Sequence, residues 1–437
     1  MIRIVALITL LLAAGGAARA DGPPSRFGVD APELSLLGPY AVGLKTLHLI
    51  ERAQVDVLAF DQATGRAPKR DRVLTVDLWY PARHVPGATP VVYTAAFPSE
   101  PPAPPAQFSV PGIAVRGAPP AGRGYPLIIV SHGYSNAPAA MTWITENLAS
   151  KGYVVAGIHH EDPPITDKAA FPGPTLRRPL DIAFVAAALQ KSLAADRLID
   201  PTRTALIGYS MGGYGVLTSA GAVLDPDSAF VKSVPGGLLL PYARGGARQA
   251  DVKVQGLRAV VAIAPAGGAP WNVWGRDGIA AITAPLLLIQ GDHDQTLSYQ
   301  GGARAMFDQA TGAHRYLLTF EQGGHSIGLN PAPEAMRHRL WDQDWFQDPV
   351  WSKERINAID AHFITAFLDL YVKGDTSRAA YLNVRVPESS QGVWPATRHL
   401  PYDAYSPDTG DITVWKGFQR GHAVGLQLLQ AEAATRR

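Results

Sequence analysis

The chain has 437 residues, no cysteine, and nearly balanced charge, with 39 Lys+Arg against 37 Asp+Glu. Without cysteine it can form no disulfide scaffold, thiol nucleophile or thiolate zinc site. It has no basic block for binding nucleic acid, and its 47% hydrophobic residues exclude a disordered chain. We therefore expect a protein with a large buried core and no nucleic-acid partner.

Residues 1–20 have the pattern of a secretory signal peptide. Arg3 is followed by an apolar run from Ile4 to Ala14, and Ala18-Arg19-Ala20 is a small-x-small cleavage site. The alternative is an N-terminal membrane anchor, but a spanning helix needs ~20 apolar residues and this run is about half as long. The pattern therefore predicts an exported protein, periplasmic or extracellular, with no integral membrane segment after the signal is removed.

Apolar runs alternate with helical patterns along the rest of the chain. The predicted strands and helices, in chain order, are the strand Val73 to Tyr80, the strand Pro126 to Val130, the helix Ala139 to Lys151, the strand Tyr153 to His159, the helix Pro179 to Leu193, and the strands Thr204 to Tyr209, Arg258 to Ala264, Pro285 to Gln290 and Tyr316 to Phe320. Most of these strands are almost continuously apolar, as in strands that helices cover on both faces. The alternation predicts an α/β fold with a doubly wound, mostly parallel sheet, in which Val73 to Tyr80 lies at or near an antiparallel edge.

The chain shows no internal repeat and no linker that would divide two cores, which favours one catalytic domain over residues 21–385. Two insertions interrupt it. Residues 98–120 contain eight prolines and are predicted to be a surface connection, and residues 225–255, rich in Gly and Pro, are predicted to lie beside the site as part of a lid. Residues 386–437, with a strand-like stretch at Ile412 to Trp415, are predicted to pack on the domain as a C-terminal extension.

A candidate nucleophile, Ser210, lies in the motif Gly208-Tyr209-Ser210-Met211-Gly212. The apolar strand TALIGY leads into it, and a small-residue helical stretch leaves it. In such a strand-turn-helix, glycines permit a tight bend and the serine projects its hydroxyl. A serine hydroxyl needs a general base, and the base needs an acid that orients it.

The acid and the base are expected after the serine, in that order. The strand PLLLIQ ends in Gly291-Asp292-His293-Asp294, and we favour Asp294 over Asp292 because the acid should lie in the loop beyond the turn. His325, in the glycine loop GGHS, is the predicted base. His314, which precedes the Tyr316 to Phe320 strand, is predicted to be a surface residue.

A tetrahedral intermediate also needs an oxyanion hole, which two backbone N–H groups usually form. Met211, directly after the nucleophile, is expected to supply one. Tyr134, in the loop Ser131-His132-Gly133-Tyr134 after a predicted strand, is expected to supply the other, with its ring forming a wall of the acyl pocket. His132 is interpreted as a structural residue beneath this loop.

The motifs GYSMGG, SHGY, GDHDQ and GGHS, in this order, resemble the α/β-hydrolase superfamily. Within it, GPYAVGLKTL (residues 38–47), WYPA (residues 79–82) and SHGYSN are similar to the predicted dienelactone-hydrolase group and to plasma-type platelet-activating-factor acetylhydrolases. GYSMGG and the stretch from Pro270-Trp271 to PLLLIQGDHD are similar to cutinases and polyester hydrolases, a resemblance that implies that Trp271 lines the substrate cleft. Dienelactone hydrolases use a cysteine nucleophile, so dienelactone is not the expected substrate.

Two further groups of residues have alternative interpretations. His159 to Asp162, and His293 between its two acids, contain metal-ligand types, but we interpret the first group as a polar rim of the site and expect no metal at either. The aromatic residues Trp341, Trp345, Phe346 and Trp351 form either a lid or, as we favour, a packing surface for a helix from Ile356 to Val372.

Together these patterns predict an exported serine carboxylic-ester hydrolase that acts on short or medium acyl esters through an acyl-enzyme. No cofactor or metal is expected. The partner is a small-molecule or lipid-like ester, and the oligomeric state is not predicted. The alternatives are a phospholipid acyl hydrolase of the platelet-activating-factor type, a polyester hydrolase, or an amidase or peptidase on the same triad; a non-catalytic binding protein is disfavoured.

Overall fold

A computed structural model describes residues 22–394 and 410–434. The predicted signal peptide lies outside the described residues, as does part of the predicted C-terminal extension. Among the described residues, no helix has both the length and the apolar character needed to cross a membrane.

In the part of the chain that the structure describes, ten strands form one sheet, in the order β12-β11-β10-β9-β8-β6-β7-β2-β1-β5, and β3 and β4 form a separate hairpin. The strands are β1 (Ala41–Val55), β2 (Lys69–Ala82), β3 (Val92–Phe97), β4 (Ala106–Pro111), β5 (Val115–Arg116), β6 (Tyr125–Ser131), β7 (Val154–His159), β8 (Ile199–Tyr209), β9 (Leu257–Ile263), β10 (Leu286–Gly291), β11 (Arg315–Phe320) and β12 (Leu426–Ala431). The strands β6 to β11 pair in parallel. Antiparallel pairs flank them, β2 with β7 and β1 on one side and β12 with β11 on the other.

Helices cover both faces of this sheet, joined by short 3-10 and π turns. They are α1 (Thr142–Ser150), α2 (Pro172–Ala195), α3 (Met211–Ser219), α4 (Ala229–Lys232), α5 (Ala305–Gln309), α6 (Leu340–Asp344), α7 (Lys353–Leu368) and α8 (Ala379–Leu382). Successive residues of β6 alternate between two cores: Ile128 and Val130 pack with α1 and α7, and Leu127 and Ile129 pack with α2 and α3. This alternation explains the continuous apolar runs, because both faces of each central strand are buried. The prediction of a doubly wound, mostly parallel sheet is confirmed.

The two ends of the sheet differ in part from expectation. The strand over Val73 to Tyr80 belongs to β2, which lies near an edge of the sheet, with β1 and β5 outside it. The proline-rich insertion contributes β4 to the hairpin and β5 to the outer edge. The expectation of a strand at Ile412 to Trp415 is wrong: both end residues are buried in irregular structure, so their apolar character reflects packing.

The strand of the C-terminal segment is instead β12, which pairs with β11 from Phe320↔Leu426 to Arg315↔Ala431. Residues assigned to a C-terminal extension thus complete the central sheet. Leu426 and Leu428 of β12 are buried in the same core as α1 and α7. The strand that leads to the His325 loop therefore has a neighbour on each side.

Candidate active site

Four loops meet at one edge of the sheet because they all follow parallel strands. Ser210 follows β8, Asp294 lies beyond β10, His325 lies beyond β11, and Tyr134 lies beyond β6. The carboxyl ends of parallel strands lie at the same edge, where sheets of this kind bind their ligands. The strand order therefore brings together residues that are far apart in the chain.

Ser210 occupies a strained bend between β8 and α3. Its φ is 54° and its ψ is −115°, a conformation that residues with a side chain rarely adopt. Two glycines make the bend possible: a Cβ on Gly208 would overlap the carbonyl oxygen of Gly212, and a Cβ on Gly212 would overlap that of Ser131. The close approach at Gly212 also brings the start of α3 against the loop after β6.

His325 lies within hydrogen-bond distance of the serine. Its Nε2 is 3.1 Å from Ser210 Oγ, and its side chain is 20% exposed. The ring lies against that of Tyr209, with centroids 5.4 Å apart, and the Tyr209 hydroxyl donates to the His325 carbonyl at 3.1 Å. The ring and the backbone of this histidine are thus both held in place.

Asp294 lies on the other side of the imidazole, with Oδ2 2.8 Å from His325 Nδ1. Its Oδ1 accepts the backbone N–H groups of Thr296 and Leu297 at 2.9 and 2.8 Å. Burial alone would raise the pKa of Asp294, but the hydrogen bond and charge of His325 and these two N–H groups outweigh burial and lower the pKa below its usual value. An ionised Asp294 favours the tautomer of His325 with its proton on Nδ1, which leaves Nε2 free to accept from the Ser210 hydroxyl.

Asp292 makes different contacts. Its Oδ1 accepts the Gln322 N–H at 2.6 Å and lies 2.9 Å from Nδ1 of the exposed His293. Asp292 therefore links the loops after β10 and β11, and Asp294 is the acid that meets His325. His314 stacks on Tyr316 at the opposite end of β11.

The predicted oxyanion donors border the same space as the serine. Met211 is the first residue of α3, where backbone N–H groups have no partner within the helix. Gly133 and Tyr134 line the cavity beside Ser210, and a Cβ on Gly133 would lie 3.5 Å from Ser210 Cβ. The Tyr134 ring packs edge-on against Phe171, at 5.5 Å between centroids, and burial raises the pKa of its hydroxyl to about 12.

Ser210 opens into a cavity of about 440 Å³ whose walls are mostly apolar. Its aromatic lining residues are Tyr134, Phe171, Tyr209, Phe230, Trp271, Trp341 and Trp345. Trp271 is half-buried and packs against Phe230 of the 225–255 insertion, with ring centroids 6.1 Å apart. That insertion thus contributes Phe230 to the cavity wall.

The aromatic segment near residue 345 serves both of its alternative roles. Trp341 and Trp345, on and just after α6, line the cavity, as a lid residue would. Phe346 is buried against Phe97 at 5.0 Å between centroids, and Trp351 packs against Phe320 at 5.1 Å. Trp345 also packs against Phe97, with ring centroids 6.0 Å apart, so the favoured packing role holds for Trp345, Phe346 and Trp351, while Trp341 and Trp345 line the cavity as well.

Two residues that support the site were missed in the sequence. Gln290, fully buried in β10, donates from Nε2 to Asp294 Oδ2 at 3.0 Å and accepts the Ala303 N–H at 3.1 Å. Lys353, buried at the start of α7, donates to the Ser326 carbonyl beside His325. A lone polar residue at the end of an apolar strand was a usable signal for Gln290; no local pattern identifies Lys353.

The histidine and carboxylate group at residues 159–162 lies beside the loop after β6 and lines a second cavity rather than that of Ser210, so its interpretation as a rim of the site stays a prediction. His160 is buried, with Nδ1 2.9 Å from Asp181 and Nε2 2.9 Å from Ser131 Oγ, and His159 pairs with Asp77 at 2.8 Å. Across residues 22–394 and 410–434, no group of three or more His, Cys, Asp or Glu residues is arranged to hold a metal ion.

Residues 118–227 match the protein family described as PETase, PET hydrolase-like. Cutinase est2 of Thermobifida alba and cutinase 2 of Thermobifida cellulosilytica are each 32% identical to this chain over 96 residues, which is 22% of this chain. The chain spans only 30% and 34% of the lengths of these two curated relatives. The family match includes Tyr134, Ser210 and Met211 and ends before Asp294 and His325.

Among solved structures, a ferulic acid esterase from Streptomyces cinnamoneus superimposes with a TM-score of 0.51 at 21% sequence identity, covering 77% of this chain and 91% of that one. At this identity the likeness establishes the fold alone, that of the α/β hydrolases. The predicted similarity to α/β hydrolases is confirmed by the fold, and the predicted similarity to cutinases is confirmed over the 96 residues matched. The similarity to dienelactone hydrolases and platelet-activating-factor acetylhydrolases stays a prediction.

Proposed function

We propose that this protein is an exported serine hydrolase that cleaves carboxylic esters with short or medium acyl chains. The observation that carries the proposal is the continuous contact from Asp294 through His325 to Ser210, with distances of 2.8 and 3.1 Å, at the wall of an apolar cavity. A nucleophile, a base and an orienting acid in this geometry suit acyl transfer.

The reaction has two steps. Ser210 Oγ attacks the ester carbonyl while His325 Nε2 takes its proton, and the N–H groups of Tyr134 and Met211 bind the resulting oxyanion. His325 then gives the proton to the leaving alcohol, which leaves an acyl group on Ser210. A water molecule then attacks this acyl-enzyme while His325 takes its proton, and His325 returns the proton to Ser210 Oγ as the bond from Oγ to the acyl carbon breaks and the acid product is released.

The volume and the lining of the cavity favour a small, apolar substrate. Its volume of about 440 Å³ is at the small-molecule end of the range for ligand sites, and its walls are mostly apolar, which suits an acyl chain or ring better than a charged peptide. This is why small esters stand ahead of peptides in the proposal.

The first experiment measures hydrolysis of p-nitrophenyl esters from acetate to palmitate. Wild type is expected to prefer the shorter chains, and Ser210→Ala is expected to lose nearly all activity. Ser192→Ala, an exposed serine on α2 far from the cavity, is the matched control and should match wild type. If Ser210→Ala kept its activity, or if wild type cleaved no ester in the series, the proposal would be wrong.

A second candidate is a hydrolase of aromatic esters or polyesters. The aromatic cavity lining and the match of residues 118–227 to the PET hydrolase-like family favour it. It predicts faster turnover of bis(2-hydroxyethyl) terephthalate or methyl ferulate than of methyl butyrate, whose leaving group is also a simple alcohol, and a larger loss with Trp271→Ala for the aromatic esters. A short-chain phospholipid ester and an anilide in the same panel test the acetylhydrolase and amidase alternatives.

Export is proposed from residues 1–20 alone. Expression of the full chain in a bacterial host, followed by mass measurement of the periplasmic protein, should give a mature N-terminus at Asp21. An uncleaved N-terminus in the membrane fraction would instead support the anchor.

A further inference from the structure

A buried arginine, Arg178 of α2, holds the loop that follows β6 from beneath. Its side chain has no exposed surface. Nη1 donates to Ser131 Oγ at 3.1 Å and to the carbonyl of His132, and Nη2 donates to the carbonyl of Gly133 at 2.9 Å. The planar guanidinium suits such neighbouring acceptors, which a single ammonium group could not bind in the same way.

Asp162 extends this support. It forms an ion pair with Arg178, and its Oδ2 accepts the backbone N–H of Ser135 at 2.9 Å. The pair therefore restrains the loop on both sides of Tyr134. A buried arginine paired with a carboxylate avoids the cost of an isolated buried charge, so the guanidinium can stay charged in this position.

His132 is a second donor to the Gly133 carbonyl, from Nδ1 at 2.7 Å. Burial, and then the charge of Arg178, hold the pKa of His132 well below its usual range, so its imidazole is neutral. Its Nε2 accepts the His160 N–H at 3.4 Å, which leaves the single ring proton on Nδ1. Two side-chain donors thus converge on one carbonyl oxygen.

The orientation of that carbonyl determines the orientation of the next N–H group. The C=O of Gly133 and the N–H of Tyr134 belong to one planar peptide unit, and in a trans peptide they point in opposite directions. This bond is trans, because the cis bonds of the described residues precede Pro102 and Pro270. Donors that hold the Gly133 oxygen beneath the loop therefore direct the Tyr134 N–H away from them.

We propose that Arg178 is a positioning residue of the oxyanion hole. By holding the Gly133 carbonyl, it orients the Tyr134 N–H toward the oxyanion. The inference rests on the proposed function, because the orientation of this N–H group affects the reaction only if an oxyanion forms at Ser210. Removing one oxyanion donor costs on the order of 10²- to 10³-fold in kcat. Loss of this orientation should therefore lower kcat by part of that factor, about 10- to 100-fold.

The test compares Arg178→Met and Arg178→Lys with Arg315→Met. Arg315 is a matched control: it too is buried and donates to backbone carbonyls, those of Phe307, Ala313 and Glu432, but at the amino end of β11, away from Ser210. For each variant, kcat and KM are measured with a p-nitrophenyl ester, together with the Tm and the inhibition constant of a trifluoromethyl ketone. The ketone forms a serine hemiketal that carries an oxyanion.

Arg178→Met is expected to lower kcat about 10- to 100-fold, to change KM little, and to weaken ketone inhibition by a similar factor. Arg178→Lys should show a smaller loss of the same kind, and it supplies the answer if the methionine variant does not fold. Arg315→Met should lower the Tm and leave kcat and ketone inhibition near wild type.

Unchanged kcat and ketone inhibition in a folded Arg178 variant would overturn the inference and leave the proposed function intact. Equal losses in Arg178→Met and Arg315→Met would also overturn it, since the effect would then be general destabilisation. A wild type that cleaves no ester, or a Ser210→Ala variant that remains active, would overturn the proposed function itself and this inference with it.

Discussion

At the residue scale, two carboxylates in one short loop have separate surroundings. Asp294 accepts three hydrogen bonds besides its contact with His325, from Gln290, Thr296 and Leu297. Asp292 faces the backbone of the loop after β11. The same side chain, two positions apart, is therefore suited to orienting an imidazole in one case and to bracing a loop in the other.

This difference predicts different effects for two isosteric substitutions. Asp294→Asn should lower kcat on the order of 10³- to 10⁴-fold, because a neutral amide no longer favours the Nδ1 tautomer of His325. Asp292→Asn keeps the oxygen that accepts the Gln322 N–H, so its kcat should stay close to wild type. Steady-state kinetics with one p-nitrophenyl ester checks both variants. A loss of kcat in Asp292→Asn but not in Asp294→Asn would assign the orientation of His325 to Asp292 instead.

At the scale of elements, the strained turn between β8 and α3 depends on backbone atoms that approach closely. Gly212 lies against the Ser131 and His132 carbonyls, so α3 begins in contact with the loop that carries Tyr134. Ser210 and the predicted oxyanion donors are thus held by one local packing arrangement. A side chain at Gly212 would separate them.

Gly212→Ala is therefore expected to destabilise the fold by about 3 kcal/mol and to abolish most activity, because its methyl group would overlap backbone that cannot rotate away. Gly173→Ala is the control. Its Cβ would meet only the Leu58 side chain, at 3.6 Å, within α2, and it should stabilise by about 0.5–1 kcal/mol. Urea unfolding and kcat of both variants give the comparison, and an active, stable Gly212→Ala would contradict this account of the turn.

At the scale of the whole molecule, His362 of α7 lies where the two ends of the described chain meet. Its Nδ1 accepts the Leu34 N–H at 3.1 Å, and its ring packs against Phe418, with centroids 5.1 Å apart. Burial, followed by the charges of Lys151 and Arg378, lowers the pKa of His362 to about 3. The folded protein therefore holds this imidazole neutral at a pH where the unfolded chain would protonate it.

The sign of the effect on stability follows directly. The unfolded chain binds a proton below pH ~6.5 and the folded chain does not, so the contribution of His362 is complete above that pH and is lost as the pH falls. The stability advantage of wild type over His362→Gln should shrink by about 2 kcal/mol between pH 7 and pH 5. Urea unfolding at both pH values measures this change.

The exposed His48 on β1 provides the control for this measurement. The difference between wild type and His48→Gln should change little over the same interval. An advantage over His362→Gln that stayed constant or grew as the pH fell would contradict a buried neutral imidazole at the junction of α7 with the chain ends.

The sequence alone was sufficient for the parallel core and for the grouping of Tyr134, Met211, Asp294 and His325 around Ser210. These inferences depended on local features: strands buried on both faces are apolar throughout, a tight turn requires glycine at Gly208 and Gly212, and parallel strands bring their carboxyl ends to one edge. The first two features act between near neighbours in the chain, so a linear pattern records them, and the third follows from the parallel arrangement that they indicate.

Only the tertiary structure revealed the contacts between distant segments. It showed Arg178 beneath the Gly133 carbonyl, β12 beside β11, and the division of the aromatic segment between cavity and core. It also showed that Gln290 donates to Asp294. The physical reason is that these contacts depend on which side chain reaches which backbone group after the elements pack, and residues far apart in the chain leave no periodic signal of that meeting.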